Sequence, residues 1–386
     1  MKIIIFPGYY LPHIGGVETH TDEFAKYLSK KGSSIYIFAP NLPQDKEFEI
    51  RHNQVKVIRY PAFELISNYP LPKFWRLKFW KLIWQVFQQN FDLAITRTRF
   101  FSNSLLGFIL AKTKRIKLVH VEHGSAFVRV ESKLINGFAY AYDLTVGKLI
   151  FNRADYVIAI SNAVKEFVKN FTPREVPVIY RGIEIEQIQG IEPDQEIQDK
   201  FQRKIKICFV GRLYKWKGIE NLIKAYQELP ENTKQNVVVL IVGYGEDIER
   251  LKRLANKDLN EGIYFLGKQP FHKAISTIKA SDLYVHPSYP GGGLATTLLE
   301  AMCCQKPIVA SPHEGAKEVI NVERGILLKD NSPESLKYGI LHLLKNKNKW
   351  KELGANSYQF IQDNFNWEKN IKKYIQLFQD ILPEGL

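Results

Sequence analysis

Two positively charged side chains stand in a short stretch of the second half of the chain, "FVGRLYKWKG". Arg212 and Lys217 are five positions apart, between a strand-like run and a helix-like run. Both cations can converge on one anionic group there, and the amides at the start of the next helix add partial positive charge. A diphosphate suits this pair, with Gly211 as a further candidate contact. The alternative is a pair of ordinary solvated cations.

A second stretch, "SYPGGGLATTLLEAM", joins three glycines to a helix-like run with one glutamate. Gly292 and Gly293 lack side chains, so their backbone amides can approach a ligand closely, and the start of the helix faces the same ligand. The carboxylate of Glu300, inside that helix, can accept hydrogen bonds from both hydroxyls of a ribose. The two stretches together favour a nucleotide as the ligand.

Three other strand-to-loop junctions carry candidate residues. In "PHIGGVETH", Gly15 and Gly16 can take positive φ and bring backbone amides to an anion; a tight turn without a ligand is the alternative. "VGYGE" has a similar glycine pair that includes Gly243. "VEHGS" places His123 after a strand, where it can hydrogen-bond a sugar hydroxyl or a phosphate, or serve a structural role.

The predicted strands and helices that position these residues alternate in the same way in both halves of the chain. Short runs rich in Val and Ile alternate with helix-length periodic segments, which predicts an α/β fold with two doubly wound parallel sheets. Ligands of such sheets bind beyond the carboxyl ends of the strands, where the candidate residues lie. The polar, acidic residues 184–200 are predicted to be a linker, and the tail is predicted to be one more helix.

Composition narrows the class of protein. The 386 residues fit two domains, and the three cysteines show neither a C-x-x-C pair nor metal-ligand spacing. No signal peptide and no uninterrupted apolar run long enough to span a bilayer is found. These features predict a cytoplasmic protein without a metal site, either soluble or peripheral to a membrane.

The net charge of +14 lies mostly in the first half, and residues 51–117 hold 13 basic and 2 acidic side chains. This excess predicts an anionic partner, and a solvated basic face is the alternative. Nucleic acid is disfavoured because no recognisable binding module is present. Within residues 72–89 a helical projection separates a lysine and glutamine stripe from an apolar arc, which suits either a membrane interface or a core-packing helix. Tyr140, Tyr142 and Asp143 are candidates for an acceptor groove, with core packing as the alternative.

In combination, the GGVE loop, His123 in "EHG", the "GRLYKWKG" loop and "LLEAMCCQKPIVAS" resemble the family-4 retaining glycosyltransferases over nearly the whole chain. The resemblance implies the GT-B arrangement, in which two Rossmann-like domains face a cleft. It assigns residues 1–185 to an acceptor-binding domain and 186–366 to a nucleotide-sugar-binding domain. Residues 367–386 are expected to form a helix that returns to the first domain.

The same resemblance implies roles for the candidate residues. Arg212 and Lys217 would bind the diphosphate and stabilise it as it leaves, and Gly16 would approach the same group. Glu300 would hold the ribose, and His123 would contact the transferred sugar. No cofactor or metal is implied beyond the nucleotide-diphosphate-sugar donor.

One position departs from the family pattern. The family usually has a second glutamate eight positions before the ribose-binding one, whereas this chain has Gly292 there. The amides of Gly292, Gly293 and Leu294 are expected to replace that carboxylate. The sequence therefore predicts a metal-independent retaining glycosyltransferase with a glycan or lipid-linked acceptor at the cytoplasmic face of a membrane. A catalytically silent nucleotide-sugar binder and a sugar-nucleotide epimerase are the alternatives.

Overall fold

The chain folds into two compact α/β units. The computed structural model describes residues 1–13, 15–66, 69–128, 132–289 and 294–382. Unit 1 comprises Met1–Gly182 and Trp367–Leu386, and unit 2 comprises Ile183–Asn366. Each unit contains one doubly wound sheet, which confirms the predicted fold class.

Unit 1 is built on a seven-stranded sheet in the order β3-β4-β2-β1-β7-β8-β9. Apart from the edge strand β3, every strand in it pairs in parallel with its neighbours. A separate antiparallel hairpin is formed by β5 and β6. The strands are β1 Lys2–Phe6, β2 Ser34–Pro40, β3 Phe48–Arg51, β4 Val55–Tyr60, β5 Ala62–Ile66, β6 Tyr69–Pro72, β7 Leu93–Arg97, β8 Lys117–Glu122 and β9 Tyr156–Ala159.

Helices cover both faces of this sheet. Successive residues of a strand point to opposite faces, so both faces carry apolar side chains that the helices bury. In β1, Ile3 and Ile5 pack into one apolar cluster while Ile4 and Phe6 pack into the other. The helices are α1 Gly16–Lys30, α2 Leu77–Gln88, α3 Ser102–Lys114, α4 Lys133–Tyr142, α5 Lys148–Arg153 and α6 Asn162–Val168, with a π-helical turn at Asp143–Gly147.

The C-terminal helix Trp367–Ile381 belongs to unit 1, as the fold prediction states. Trp367 is buried and stacks on the rings of His20 and Tyr27 at centroid distances of 5.2 and 5.4 Å. A Cβ on Gly182 would lie 2.2 Å from the Trp367 indole. Gly182 is therefore needed for the chain to pass this closely over the helix.

Unit 2 is built on a six-stranded, all-parallel sheet in the order β12-β11-β10-β13-β14-β15. This is the strand order of a Rossmann fold. The strands are β10 Ile205–Val210, β11 Val237–Val242, β12 Ile263–Gly267, β13 Leu283–His286, β14 Ile308–Ala310 and β15 Ile326–Leu327. The helices are α7 Ile185–Gln189, α8 Gln195–Lys200, α9 Ile219–Gln227, α10 Glu231–Lys234, α11 Ile248–Ala255, α12 Phe271–Ala280, α13 Thr296–Cys303, α14 Glu314–Val319, α15 Pro333–Lys345 and α16 Trp350–Asn364.

Residues 184–200 differ from the predicted linker. They form α7 and α8, and the side chains of Ile185, Ile188 and Ile197 are buried. Isoleucines three positions apart lie on one helix face, so a single apolar row is enough to dock α7 even though its other residues are polar. The acidic composition of the segment concealed this row.

None of the helices among the described residues is long and apolar enough to cross a bilayer.

Candidate active site

In unit 2 the loop after β10 presents Arg212 and Lys217. The Arg212 guanidinium lies 5.1 Å from the ring centre of Tyr214, and the Lys217 ammonium lies 4.3 Å from that of Trp216. Neither cation forms a salt bridge with a described residue. Burial, followed by the charge of Arg212, lowers the pKa of Lys217 to about 8. The structure therefore brings the two predicted cations together, with no carboxylate of the described residues paired to either.

Gly218 fixes the position of Lys217. Its φ is +66°, and a Cβ there would lie 2.0 Å from the carbonyl oxygen of Pro287. The amide of Tyr289 also donates to the carbonyl of Trp216 at 2.9 Å. These contacts tie the loop after β10 to the loop after β13, since only glycine tolerates both the conformation and the close approach.

The loop after β13 leads to the glycine-rich stretch. Gly292 and Gly293 lie outside the described residues, and the chain is described again from Leu294. The next helix, α13, begins at Thr296, so the partly buried Glu300 lies little more than one turn inside it.

His286 is a candidate site residue that the sequence interpretation did not include. It ends β13 and is 1% exposed, and neither ring nitrogen has a hydrogen-bond partner among the described residues. Burial, followed by the charges of His313 and Lys217, holds its pKa well below the usual range. A neutral, unpartnered imidazole beside Lys217 can donate or accept a hydrogen bond. Its signal in the sequence is a histidine closing the apolar strand "DLYVHPS".

The glycines after β10 and β11 pack backbone against backbone. Gly243 has a φ of +149°, and a Cβ on it would lie 1.8 Å from the carbonyl oxygen of Gly211. A Cβ on Gly245 would lie 2.3 Å from the carbonyl oxygen of Leu213. Close packing of the two loops accounts for Gly243 and Gly245, and a ligand contact by Gly211 or Gly243 stays a prediction.

In unit 1, His123 follows β8 and belongs to a buried polar cluster. Arg97, which ends β7 and is fully buried, approaches His20 Nδ1 at 2.7 Å and His123 Nε2 at 3.3 Å through Nη1. A guanidinium has only donors, so both ring nitrogens accept, and we assign the proton of His123 to Nδ1. Burial, followed by the charge of Arg97, holds the pKa of both histidines well below the usual range. His123 is therefore neutral, with an Nδ1–H donor.

Arg97 forms no ion pair with a carboxylate of the described residues. Its Nε and Nη2 atoms have no hydrogen-bond partner among the described residues, and burial lowers its pKa to about 10. The sequence signal was an arginine at the end of an otherwise apolar strand, "DLAITRT". Buried charges are usually paired, so this arginine marks a site where an acceptor group would be favourable.

Glu122 holds the backbone around His123. Its Oε1 accepts from the amides of His123 and Gly124 at 3.0 and 2.6 Å. Arg99 donates from Nη1 to Glu122 at 3.3 Å and from Nη2 to Asp143 at 2.8 Å. Burial raises the pKa of Glu122, but Arg99 and His120 outweigh it and hold the pKa at about 2. Asp143 is fully buried in this network, which supports core packing, one of the two roles that the sequence left open, over lining an acceptor groove.

Gly15 and Gly16 begin α1. Neither has a positive φ, contrary to the sequence expectation; Gly15 is extended at φ −158°. A Cβ on Gly15 would lie 2.3 Å from Glu18 Oε2, whereas a Cβ on Gly16 would meet nothing within 4 Å. Glu18 covers the Gly15 side of the first turn and pairs with His13 at 2.9 Å. Gly16 faces open space, and its contact with a ligand stays a prediction.

Two protein-family models match the chain. The model described as glycosyl transferases group 1 matches residues 190–360, and the model of glycosyltransferase family 4 matches residues 14–187. The first match contains Arg212, Lys217 and Glu300, and the second contains Gly15, Gly16 and His123.

Relatives of the chain are similar over nearly its whole length. An uncharacterized glycosyltransferase from Methanocaldococcus jannaschii is 59% identical over 99% of both chains. The phosphatidylinositol N-acetylglucosaminyltransferase GPI3 subunit from Saccharomyces cerevisiae is 22% identical over 98% of this chain and 83% of its own. An Anabaena protein crystallised with UDP-glucose superposes with a TM-score of 0.72 at 22% identity, covering 99% of this chain and 100% of the other.

Proposed function

The chain belongs to the family-4 glycosyltransferases, and on this premise we propose that it transfers a sugar, with retention of configuration, from a nucleotide-diphosphate-sugar donor to a lipid-linked or membrane-borne acceptor. The observation that carries the proposal is the pair Arg212 and Lys217, two neighbouring cations without a carboxylate partner among the described residues. Residues 290–293 are proline and glycines, so they bring no carboxylate either.

The chemistry follows from where charge develops. When the bond between the sugar and the diphosphate breaks, negative charge builds on the leaving phosphate oxygen. Arg212 and Lys217 stabilise that charge, and because their loop is fixed by Gly218, they do so without reorganising. Glu300 accepts hydrogen bonds from the ribose, His123 donates from Nδ1 to the transferred sugar, and Gly16 admits the donor to the start of α1.

Two fixed cations perform the role that a divalent ion fulfils in other phosphoryl and glycosyl transfers, which is the neutralisation of a diphosphate. We therefore propose that transfer needs no metal. Activity that is unchanged by chelator supports this part of the proposal, and activity restored only by added Mg²⁺ or Mn²⁺ contradicts it.

The acceptor is proposed from charge and from one relative. The basic excess of residues 51–117 suits a phosphate-bearing lipid or an anionic leaflet. The name of the yeast relative specifies phosphatidylinositol as its acceptor. A membrane-borne acceptor at the cytoplasmic face is consistent with both.

Thermal unfolding against UDP-, GDP-, ADP- and dTDP-sugars, with chelator present, tests donor binding. A ligand at 100 times its dissociation constant stabilises by about 2.7 kcal/mol, so the matching donor is expected to raise the unfolding temperature by a few degrees. No shift with any nucleotide sugar would contradict the proposed donor site. A shift without turnover towards lipid acceptors would favour the silent binder, and conversion of the donor without acceptor would favour an epimerase.

Donor affinity should depend on the protonation of Lys217. The free protein loses this proton above about pH 8, whereas the diphosphate in the complex favours the protonated form. The dissociation constant is therefore expected to be flat below pH 7.5 and to rise towards tenfold per pH unit above pH 8. Calorimetric titrations between pH 6.5 and 9 measure it. Lys217→Arg is the matched control because arginine stays charged over this range, and an equal slope in both proteins would contradict the assignment.

A further inference from the structure

Unit 1 exposes a row of large apolar side chains along α2. Within the helix, Leu77, Trp80 and Trp84 are 87%, 55% and 66% exposed, and their spacing places them on one face. Phe74 and Trp75, in the turn before the helix, are 59% and 57% exposed. The indole of Trp80 donates to the carbonyl of Phe74 at 2.7 Å, which ties this turn to the helix. These five side chains are called the α2 row.

The α2 row is separate from the face that holds the helix on the sheet. Phe79, Leu82 and Val86 are buried and belong to the core of unit 1. The helix thus has one apolar face inside the protein and a second one in water. The sequence projection of residues 72–89 placed one apolar arc against a polar stripe and missed the second face. Scattered exposed apolar residues are ordinary, but a contiguous aromatic patch marks an interaction site.

An apolar cavity of about 220 Å³ lies between α2 and α3. Phe6 and Phe38 of the sheet, Ile83 of α2 and Leu106 of α3 contribute to its lining. Trp80 of the α2 row and Ile109, which is 46% exposed, also line it, so the cavity opens beside the row. For comparison, an engineered apolar cavity of about 150 Å³ binds benzene. The cavity is large enough for part of a hydrocarbon chain.

The unpaired charges near the row are basic, whereas Glu47 is paired with Lys78 of α2. Neither α2 nor α3 contains an acidic residue. Arg76, Lys81 and Arg115 are exposed and form no salt bridge with a described residue. Arg115 caps α3, whose Lys114 donates to the carbonyl of Phe87 at the end of α2. In contrast, Arg59, Arg97 and Arg99 are buried, so the surface charge of residues 51–117 is smaller than the sequence indicates and lies partly around the α2 row.

We propose that the α2 row and its cavity form a docking site for an anionic lipid bilayer. The tryptophans lie at the level of the head groups, the unpaired cations contact lipid phosphates, and the cavity takes part of one hydrocarbon chain. A protein partner would also cover an aromatic patch, but an apolar cavity beside exposed tryptophans, on helices that carry unpaired cations, complements a lipid with a charged head and an apolar chain. The link between this docking site and a membrane acceptor rests on the proposed function. The binding of the chain to a bilayer, in contrast, can be measured without sugar transfer.

Vesicle sedimentation without nucleotide sugar tests the surface. The full chain is expected to bind vesicles of phosphatidylglycerol and phosphatidylcholine, and to bind pure phosphatidylcholine at least about tenfold more weakly, since each contacting cation contributes about fivefold on an anionic leaflet. Trp80→Ser with Trp84→Ser is expected to weaken binding about tenfold or more. The control is Tyr244→Ser with Tyr338→Ser, two unit 2 aromatics that are 65% exposed, and it should change binding less than twofold.

Dihexanoyl phosphatidylglycerol, used as a monomer, tests the cavity. It should raise the unfolding temperature of the wild-type chain, and Ile83→Trp, which places an indole ring in the cavity, should weaken this shift but keep the vesicle binding. Wild-type-like vesicle binding by the Trp80 and Trp84 variant would overturn the docking site, and an undiminished shift in Ile83→Trp would overturn the role of the cavity. Donor-induced stabilisation, measured in the same variants, is expected to stay unchanged. If the wild-type chain binds vesicles but no donor stabilises it, the proposed function is contradicted and the docking site is not.

Discussion

Lys217→Met is expected to lower turnover by about 10²–10³-fold and, at the same time, to raise the unfolding temperature. The loss follows from removing one fixed cation from a developing charge, for which ~10²–10³-fold is the usual cost of a preorganised donor. The gain follows from burial. A lysine whose pKa is lowered to about 8 is held charged at neutral pH in a site that disfavours the charge, at a cost on the order of 1–3 kcal/mol once solvent screening is allowed for.

The sign of this stability effect is set by the two pKa values. Between about pH 8 and the unfolded value near 10.4, the unfolded chain binds more protons than the folded chain, so the cost fades as pH rises through this window. Lys217→Met should therefore raise the unfolding temperature at pH 7, and the difference from the wild type should disappear near pH 10.5. Thermal unfolding at both pH values, together with sugar-transfer rates, measures the two effects.

Lys215→Met is the matched control for Lys217→Met. Lys215 lies in the same short 3-10 helix and is exposed. Its replacement should leave the rate within about twofold and the unfolding temperature nearly unchanged, as expected for a surface substitution. Equal rates in the Lys217 variant and the wild type would contradict the proposed role. If the rate falls, the higher unfolding temperature of the variant shows that the loss is not due to unfolding.

The doubly wound architecture was accessible from the sequence because buried parallel strands leave an unmistakable pattern. "VVVLIV" becomes β11, whose side chains alternate between two apolar clusters on the two faces of the sheet. The antiparallel edge strand β3 was not predicted. Phe48 and Ile50 in it are exposed, so its apolar residues carry no information about a core. Edge strands and hairpins depend on pairing across the chain, which local composition does not encode.

The sequence predicted the candidate site residues that lie in a loop after a strand. It missed those whose charged side chains are buried. Arg212 and Lys217 stand together because a tight loop joins β10 to α9. Arg97 and Arg99 were counted as surface charge, yet both are fully buried. Thr98 between them has a φ of +63°, and neither this strained conformation nor the partners on β8 can be recognised from neighbouring residues. Their pairing across strands is a tertiary property.

Arg99→Met is expected to destabilise unit 1 by about 3–5 kcal/mol, because it leaves Glu122 and Asp143 buried without their cation. This is a large share of the ~5–15 kcal/mol that stabilises a typical domain. Urea unfolding followed by circular dichroism measures it. Arg51→Met is the matched control, since Arg51 also bridges two carboxylates, Asp22 and Glu49, but is 29% exposed. Loss of ion pairs at that exposure should lower the free energy of unfolding by only about 1 kcal/mol.

The pH dependence separates charge from packing in this prediction. In the wild-type chain the pKa of Glu122 is held at about 2, below its unfolded value. The stability it contributes is therefore complete above about pH 4.3 and lost as pH falls towards 2. Arg99→Met should remove most of this acid dependence, and adding Glu122→Gln and Asp143→Asn should restore part of the stability, because no buried charge then remains unpaired. An unfolding midpoint for Arg99→Met equal to that of Arg51→Met would contradict a buried ion network. The same network holds the amide of His123 through Glu122, so the stability of unit 1 and the position of His123 should change together.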